Sequence, residues 1–410
     1  ILNDAVTPAM SAVSGKNTHK EIEGIRITAN ADGTCVLNSF DLEKGITCTV
    51  RGDVEEPGSF IINGQKLSQI IRNMPENIRI EVDKKNNQAK LTSGKSEFTM
   101  AALPGEDFPN TPALEGDWSF KIPQCELRDA ITKTLYAVAS NEPRPALNGM
   151  LFRVRNQSIV LAATDSFRLA VCEKEIPLQN ENGDSPLDLS MVVPGKTVTE
   201  LLKMLSDTNA PVTIMATRKH IIFSLGWLTF FSRLIDAEFV DYEKFMPKNP
   251  CVFVSVKTAE LRSSLERASL VTEDHIAGQA KSYVKFLFEG DVLRVSAVSM
   301  SGTSYDEIPV SKEGADLHIG FSCRYLLDAL RTCDTEYIRI AMVSQLVSIV
   351  ITPDESRLSE DEIAAIVPTY VANCLKFYEK RIRDIAARYG DRVDSWDVVN
   401  ESATDYHIYQ

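Results

Sequence analysis

The sequence predicts an α+β protein made of three copies of one domain, each placing two helices on an antiparallel sheet. Three observations carry that prediction. A helical segment recurs at Leu2 (LNDAVTPAMSAVS), Leu127 (LRDAITKTLYAVAS) and Leu261 (LRSSLERASLVTE). A second helical segment follows each of them: GQKLSQIIRNM from Gly64, GKTVTELLKML from Gly195 and SCRYLLDALRT from Ser322. The stretches between are rich in Val, Ile, Phe and Thr and alternate apolar with polar. A solenoid repeats every ~20–50 residues; this period is far longer, so the repeated unit is a whole domain.

The elements follow in order. Leu127, Ala130, Ile131, Thr134, Leu135 and Val138 fall on one face of a helix, and Leu2, Ala5, Val6, Ala9, Met10 and Val13 repeat the spacing. The third copy keeps Leu261, Leu265 and Ala268. These patterns predict helical segments over 2–16, 64–76, 127–144, 195–207, 261–274 and 322–334. Ile25-Arg26-Ile27-Thr28, Ile78-Arg79-Ile80-Glu81-Val82 and Ile338-Arg339-Ile340 read as strands with one wet face. Ala31-Asp32-Gly33 and Glu289-Gly290-Asp291 read as the turns between strands. Two helices covering one face of such a sheet make an α+β layer.

Copies two and three place a strand before the first helix, SFKIP at 119–123 and CVFVSV at 251–256, whereas copy one opens on its helix. Copy two closes with strands over 211–218, 220–226 and 227–235. Copy three supplies YIRIAMV and LVSIVIT and then changes character at Pro353. The expected domains are 1–113 (leading strand missing), 114–247, 248–353 (last strand missing) and a foreign segment over 354–410. That last segment reads as a helix–strand α/β fragment. Ser359 and Glu362 form a capping box, Val371, Leu375, Tyr378, Ile382, Ile385 and Ala386 recur at helical spacing, and Gly390 stops the helix.

Composition sets the class. The chain has 410 residues, 44% hydrophobic and 25% charged, the make-up of ordinary globular protein. No apolar run approaches the ~20 residues of a membrane span. The eight cysteines form no CxxC pair, which reads as reduced thiols in a cytoplasmic protein, with neither a disulfide framework nor a zinc site. A net charge of −13 argues against nucleic acid. The six helical segments, however, are almost charge-balanced, so the acid excess lies in the rest of the chain. That distribution permits the helices to face a polyanion, though charge alone reads more simply as scatter on amphipathic helices.

Two motifs are set aside. Val193-Pro194-Gly195-Lys196-Thr197 looks like the end of a P-loop, but the required earlier glycine is Ser190, and the matching repeat positions mark helix starts. His19, His220, His275 and His407 lack ligand-spaced partners, so no metal and no cofactor is expected.

Seven segments then carry a resemblance: EGIRITA at 23–29, FIINGQKLSQIIRNMP at 60–75, ALPGEDFP at 102–109, LNGMLF at 147–152, ATDSFRLAV at 163–171, VVPGKTVTELLKML at 192–205 and SRLIDAEFVDYEKFMPKNP at 232–250. In this order they resemble the bacterial DNA polymerase III β subunits, the replication sliding clamps, over residues 1 to about 353. The resemblance implies a non-enzymatic, head-to-tail homodimeric ring that encircles duplex DNA as a processivity factor. It implies phosphate contacts from Lys16, Lys66, Arg72, Arg128, Lys133, Arg144, Lys196, Lys203, Arg324 and Arg331. It further implies a pocket for short apolar peptides of polymerase III, clamp loader and repair proteins. The matching residues are Leu147, Thr164, Phe167, Arg168, Leu169, Pro247, Ser322, Tyr325, Leu346 and Ser348. Val240 stands where that family usually has proline.

The segment RYGDRVDSWDVVNE resembles the acid/base region of family ten glycoside hydrolases, the (β/α)8 xylanases. On that match Glu401 is the proton donor and Asn400 a substrate contact. A retaining glycosidase needs a second carboxylate at ~5–5.5 Å, and such a barrel takes about 250 residues. The expectation is therefore a catalytically incomplete fragment of a xylan-degrading enzyme fused to a clamp body.

Overall fold

The computed structural model describes residues 2–15, 19–75, 77–109, 116–155, 157–176, 178–181, 186–272, 283–299 and 302–357. The chain divides into two compact units, Ile1–Met246 and Pro247–Gln410.

The first unit holds two copies of the repeat. Copy one runs α1 (Leu2–Ala9), β1 (Gly24–Ala29), β2 (Thr34–Phe40), β3 (Lys44–Arg51), β4 (Gly58–Asn63), α2 (Gly64–Arg72), β5 (Arg79–Asp83), β6 (Gln88–Ser93) and β7 (Ser96–Pro104). Copy two runs β8 (Trp118–Pro123), α3 (Gln124–Thr134), β9 (Gly149–Arg155), β10 (Ser158–Thr164), β11 (Leu169–Glu175), β12 (Gln179–Asn180), β13 (Asp188–Pro194), α4 (Gly195–Met204), β14 (Pro211–Ala216), β15 (His220–Ser224) and β16 (Leu228–Arg233). The second unit repeats the order with β17 (Val252–Lys257), α5 (Thr258–Thr272), β18 (Val284–Glu289), β19 (Val292–Val298), β20 (Thr303–Pro309), β21 (Ser311–Glu313), β22 (Leu317–Phe321), α6 (Cys323–Leu330), β23 (Tyr337–Met342) and β24 (Val350–Pro353).

Every described strand pairing is antiparallel. In the first unit one 12-stranded sheet runs β12-β8-β14-β15-β16-β3-β2-β1-β4-β7-β6-β5, with a 4-stranded sheet β11-β10-β9-β13 beside it. The second unit has two 4-stranded sheets, β21-β17-β23-β24 and β20-β19-β18-β22. Copies one and two thus share a sheet. Its joint is β16 on β3, from Leu228 opposite Cys48 to Ser232 opposite Lys44. At the joint Gly45 leaves space for an aromatic ring: a Cβ there would sit 2.3 Å from Phe231 Cε1. Phe231 also packs at 5.7 Å from Phe40, centroid to centroid.

The helix stripes are the core. Ala5, Val6 and Ala9 of α1, Leu127, Ala130 and Ile131 of α3 and Leu261, Leu265 and Ala268 of α5 are all buried. The second helices start where the ends of the first pack. A Cβ on Gly64 would lie 3.0 Å from Met10 Sδ and Val13 Cγ2, and one on Gly195 would lie 2.7 Å from Val138 Cγ1. Gly195 therefore serves a helix crossing, and the P-loop-like motif owes its glycine to packing. In the third copy Cys323 takes this place and its thiol donates to the Leu265 carbonyl at 3.3 Å.

Several predicted helices end early. Only Leu2–Ala9 of 2–16 is α-helical, tightening to a 3-10 turn over Met10–Ala12. Within 127–144 the α-helix stops at Thr134, whose hydroxyl donates back to the Ala130 carbonyl at 2.7 Å. A 3-10 turn over Leu135–Ala137 follows, then extended chain. The apolar stripe continues across that turn because Val138 packs under Gly195, which mimics a longer helix. The strand expected in LVSIVIT is confined to Val350–Pro353. The elements expected after Ser359 lie outside the described residues.

Candidate nucleic-acid and peptide-binding surfaces

The cations expected to meet phosphate fall into two groups. Arg128 and Lys133, on α3, are committed to the protein. Arg128 Nη1 donates to the Leu205 carbonyl at 2.7 Å, tying α3 to the end of α4. Lys133 Nζ lies 3.0 Å from Asp129 Oδ2, and Asp129 also takes Lys174 Nζ at 2.6 Å. Burial raises the Asp129 carboxyl, yet these two ammonium groups outweigh it and hold it below the usual carboxylate range.

Lys66, Arg72, Lys196 and Arg324 differ. All four lie exposed on the second helices of the three copies, and among the described residues none has an ion-pair partner. Lys203 on α4 and Arg331, the residue that caps the end of α6, pair with acids instead: Lys203 with Glu200 at 2.9 Å and Arg331 with Asp328 at 3.5 Å. Lys16 lies outside the described residues.

Arg144 needs correction. The periodicity places it on a helix of 127–144, but it precedes a 3-10 turn at Pro145–Asn148. Its Nη2 donates to Ser166 Oγ at 2.6 Å. Arg144 therefore supports the β10–β11 turn, and the two prolines flanking it explain why no helix reaches it.

Half of the expected peptide residues lie in the first unit, four of them on or beside that turn. Asp165 Oδ1 accepts the backbone N–H of Phe167 and of Arg168, each at 3.0 Å, and Oδ2 accepts Arg168 Nε at 3.0 Å. Arg168 Nη2 donates to the Tyr136 carbonyl at 2.7 Å, and its guanidinium lies 5.2 Å from the Tyr136 ring centroid. Thr164 Oγ1 donates to the Arg168 carbonyl at 2.8 Å. Ser166 takes the left-handed conformation, φ 78°. So braced, the turn holds Phe167 out in solvent, 80% exposed. Behind it Leu169 packs with Phe239 against Leu151, Val160, Ala162 and Tyr242. Leu147 is 1% exposed and so lies beneath the surface, reachable only through its neighbours.

The other half lies in the second unit. Ser322 precedes α6 and is exposed, Tyr325 is half-buried on α6, and Pro247 is half-buried at the unit's start. Leu346 and Ser348 occupy the β23–β24 connection, with Leu346 90% exposed. Leu346 and Phe167 are thus large apolar side chains exposed on turns, one in each unit. The sequence does not announce Asp165 as the brace of Phe167, although its spacing to Phe167, two residues on, is that of an Asx turn. Asn400 and Glu401 lie outside the described residues.

A tripled two-helix, antiparallel domain with unpaired cations on its helices is the fold of a processivity factor. The chain belongs to the beta sliding clamp family, the DNA polymerase III beta subunits. Three family models match in order: the N-terminal domain over residues 1–112, the central domain over 121–241 and the C-terminal domain over 243–367. The beta sliding clamp of Escherichia coli (strain K12) is 30% identical over 340 residues, which is 82% of this chain and 89% of that protein. That of Bacillus subtilis (strain 168) is 29% identical over 369 residues, 87% of this chain and 95% of that protein. The crystal structure of the Bacillus subtilis DNA polymerase sliding clamp superposes with a TM-score of 0.78 at 29% identity, covering 87% of this chain and 94% of that one. The DNA polymerase III subunit beta from Pseudomonas aeruginosa gives 0.78 at 26% identity, covering 88% and 95%.

Proposed function

We infer that this chain acts as a DNA sliding clamp, a non-catalytic ring of two copies that encircles duplex DNA and tethers the replicative polymerase. The observation that carries this is the repeat itself. One domain, present three times, puts exposed cations on the second helix of every copy, and the family match spans all three. Such a clamp holds DNA by topology, so contacts to phosphate need only be weak and non-specific. The test is retention on DNA after loading. The chain should stay on nicked circles and escape from the same DNA once it is linearised. Equal retention on both would replace topology with ordinary binding.

The domain joint supports a specific pairing for the ring. Inside the chain, β16 of copy two joins β3 of copy one. By the repeat, β7 is the first copy's counterpart of β16, and β20 is the third copy's counterpart of β3. The reading is that β7 of one protomer pairs with β20 of another. Phe98 on β7 and Tyr305 on β20 are both exposed, 41% and 63%.

Peptide binding rests on the Phe167 turn and Leu169, with Pro247, Ser322, Tyr325, Leu346 and Ser348 as further contributors on the family resemblance. Exposed apolar side chains with a few polar groups beside them suit short apolar peptides. The domain limits 1–113, 114–247 and 248–353 follow the repeat. For the tail, the xylanase-like reading rests on RYGDRVDSWDVVNE. The clamp match reaches residue 367, so the part outside the clamp models is 368–410. Glu401 without a second carboxylate predicts no hydrolysis of xylan. Release of reducing sugar that Glu401→Gln abolishes would reverse this.

A further inference from the structure

The second helices of copies two and three share a charge pattern that the proposed DNA contact leaves unexplained. In α4 it is Lys196, Glu200, Lys203; in α6, with the residue after it, it is Arg324, Asp328, Arg331. The two cations are seven apart, on one exposed stripe, with an acid between them. The acid has two choices, since i,i+4 toward the first cation and i,i+3 toward the second are both within reach on a helix. In both copies it takes the second. Glu200 Oε1 accepts Lys203 Nζ at 2.9 Å, and Asp328 Oδ1 lies 3.5 Å from Arg331 Nη1. Lys196 and Arg324 have no ion-pair partner among the described residues. Copy one has Gln65, Gln69 and Arg72 at these positions, so it carries the second cation and neither the acid nor the first.

Glu200 cannot swing to Lys196 at will. Its other oxygen, Oε2, accepts the Ser11 hydroxyl at 2.7 Å, a contact from copy one to copy two. A carboxylate held between Ser11 and Lys203 keeps its charge beside that ammonium. A phosphate approaching Lys203 meets a neutral pair, so little counterion release accompanies the contact, whereas one approaching Lys196 meets a bare charge.

Resting on the sliding-clamp reading, we propose that Glu200 and Asp328 are charge-masking residues that reserve DNA contact for Lys196 and Arg324 and silence Lys203 and Arg331. Their role is to cap how tightly the helices grip phosphate. Glu200 is the stronger mask because Ser11 fixes it from the neighbouring domain.

The test is the salt dependence of duplex DNA affinity, read by fluorescence anisotropy on the full chain. The slope of log K against log salt changes by about 0.9 for each phosphate that is newly engaged or released. Lys196→Ala should flatten it by about that amount in the native background, and Lys203→Ala should leave it unchanged. Glu200→Gln, which keeps the shape and the Ser11 hydrogen bond, should steepen the slope. In that background Lys203→Ala should now flatten it again. Asp328→Asn with Arg331→Ala should repeat the result. The mask is overturned if Lys203→Ala weakens native binding as much as Lys196→Ala, or if Glu200→Gln leaves the slope unmoved while Lys196→Ala still lowers it. If native binding shows no salt slope and Lys196→Ala does nothing, the DNA-clamp reading fails with it.

Discussion

Phe167 and Arg168 are neighbours with opposite duties. Phe167 is 80% exposed, so truncating it removes little from the fold. Arg168 satisfies Asp165 and the Tyr136 carbonyl. Phe167→Ala should weaken binding of a short apolar peptide in an anisotropy assay while leaving thermal stability within ~0.5 kcal/mol of native. Arg168→Ala should cost about 1–3 kcal/mol by stranding its half-buried partners. Loss of peptide binding only in the second variant would remove Phe167 from the site. Asp354 makes a different prediction. Its carboxylate is 3% exposed and accepts the hydroxyls of Ser255 and Ser356. Burial raises its pKa, but those hydrogen bonds and nearby Arg339 bring it below the ordinary carboxylate value. A carboxyl depressed in the folded state stabilises above its unfolded pKa, ~3.9, and loses that contribution as pH falls through the folded value. Unfolding should therefore show an acid-side loss of stability below about pH 4 to which Asp354 adds its share beside other depressed carboxylates such as Asp129, and Asp354→Asn should make that loss shallower; an unchanged acid limb in that variant would refute it.

At the scale of elements, the β16–β3 joint is the sensitive place. A Cβ on Gly45 would overlap Phe231, which is held among Phe40, Ile61, Phe108 and Ile222. Gly45→Ala should cost about 1–3 kcal/mol by overpacking, and hydrogen exchange should quicken along β16 and β3 before it does in β9 or β10. Uniform quickening would mean that the joint is not where the strain lands. The helices show how much of this the sequence discloses. Leu127, Ala130 and Ile131 mark α3 because burial on one face forces a 3.6-residue period. Val138 carries the same period past the true helix end, since it packs under Gly195 from an extended chain. Periodicity records burial and cannot tell a helix from a turn that keeps burying its residues. Likewise Glu200 is within reach of Lys196 and Lys203 alike, and only the Ser11 hydroxyl, distant in sequence, settles the choice. The cations are legible residue by residue; their grouping into paired and unpaired sets is not, because it depends on partners brought in by the fold. The tail's pattern of Val371, Leu375 and Ile382 falls outside the described residues.

For the whole molecule, the repeat prescribes assembly. If β7 and β20 join two copies as β16 and β3 join two domains, the native chain of 45.5 kDa should behave as a dimer of about twice that mass in light scattering. Tyr305→Lys should shift it to one chain, because an exposed apolar side chain at the seam is replaced by a charge that needs water. The variant should keep its melting transition and lose retention on circular DNA. A native monomer, or a dimer indifferent to Tyr305→Lys, would place the seam elsewhere.

The glycine at the joint carries a consequence for how such a protein can change. Gly45 and Phe231 are far apart in sequence and belong to different repeats, yet they share one volume. Neither is free to vary alone: a larger residue at 45 needs a smaller one at 231, and shrinking 231 first leaves a hole. Their substitutions are therefore compensatory. Gly45→Ala combined with Phe231→Leu should be less damaging than the sum of the two single changes. A lineage crossing from one pair to the other must pass through a weakened joint or change both positions together, which binds the histories of two domains that otherwise look like independent copies.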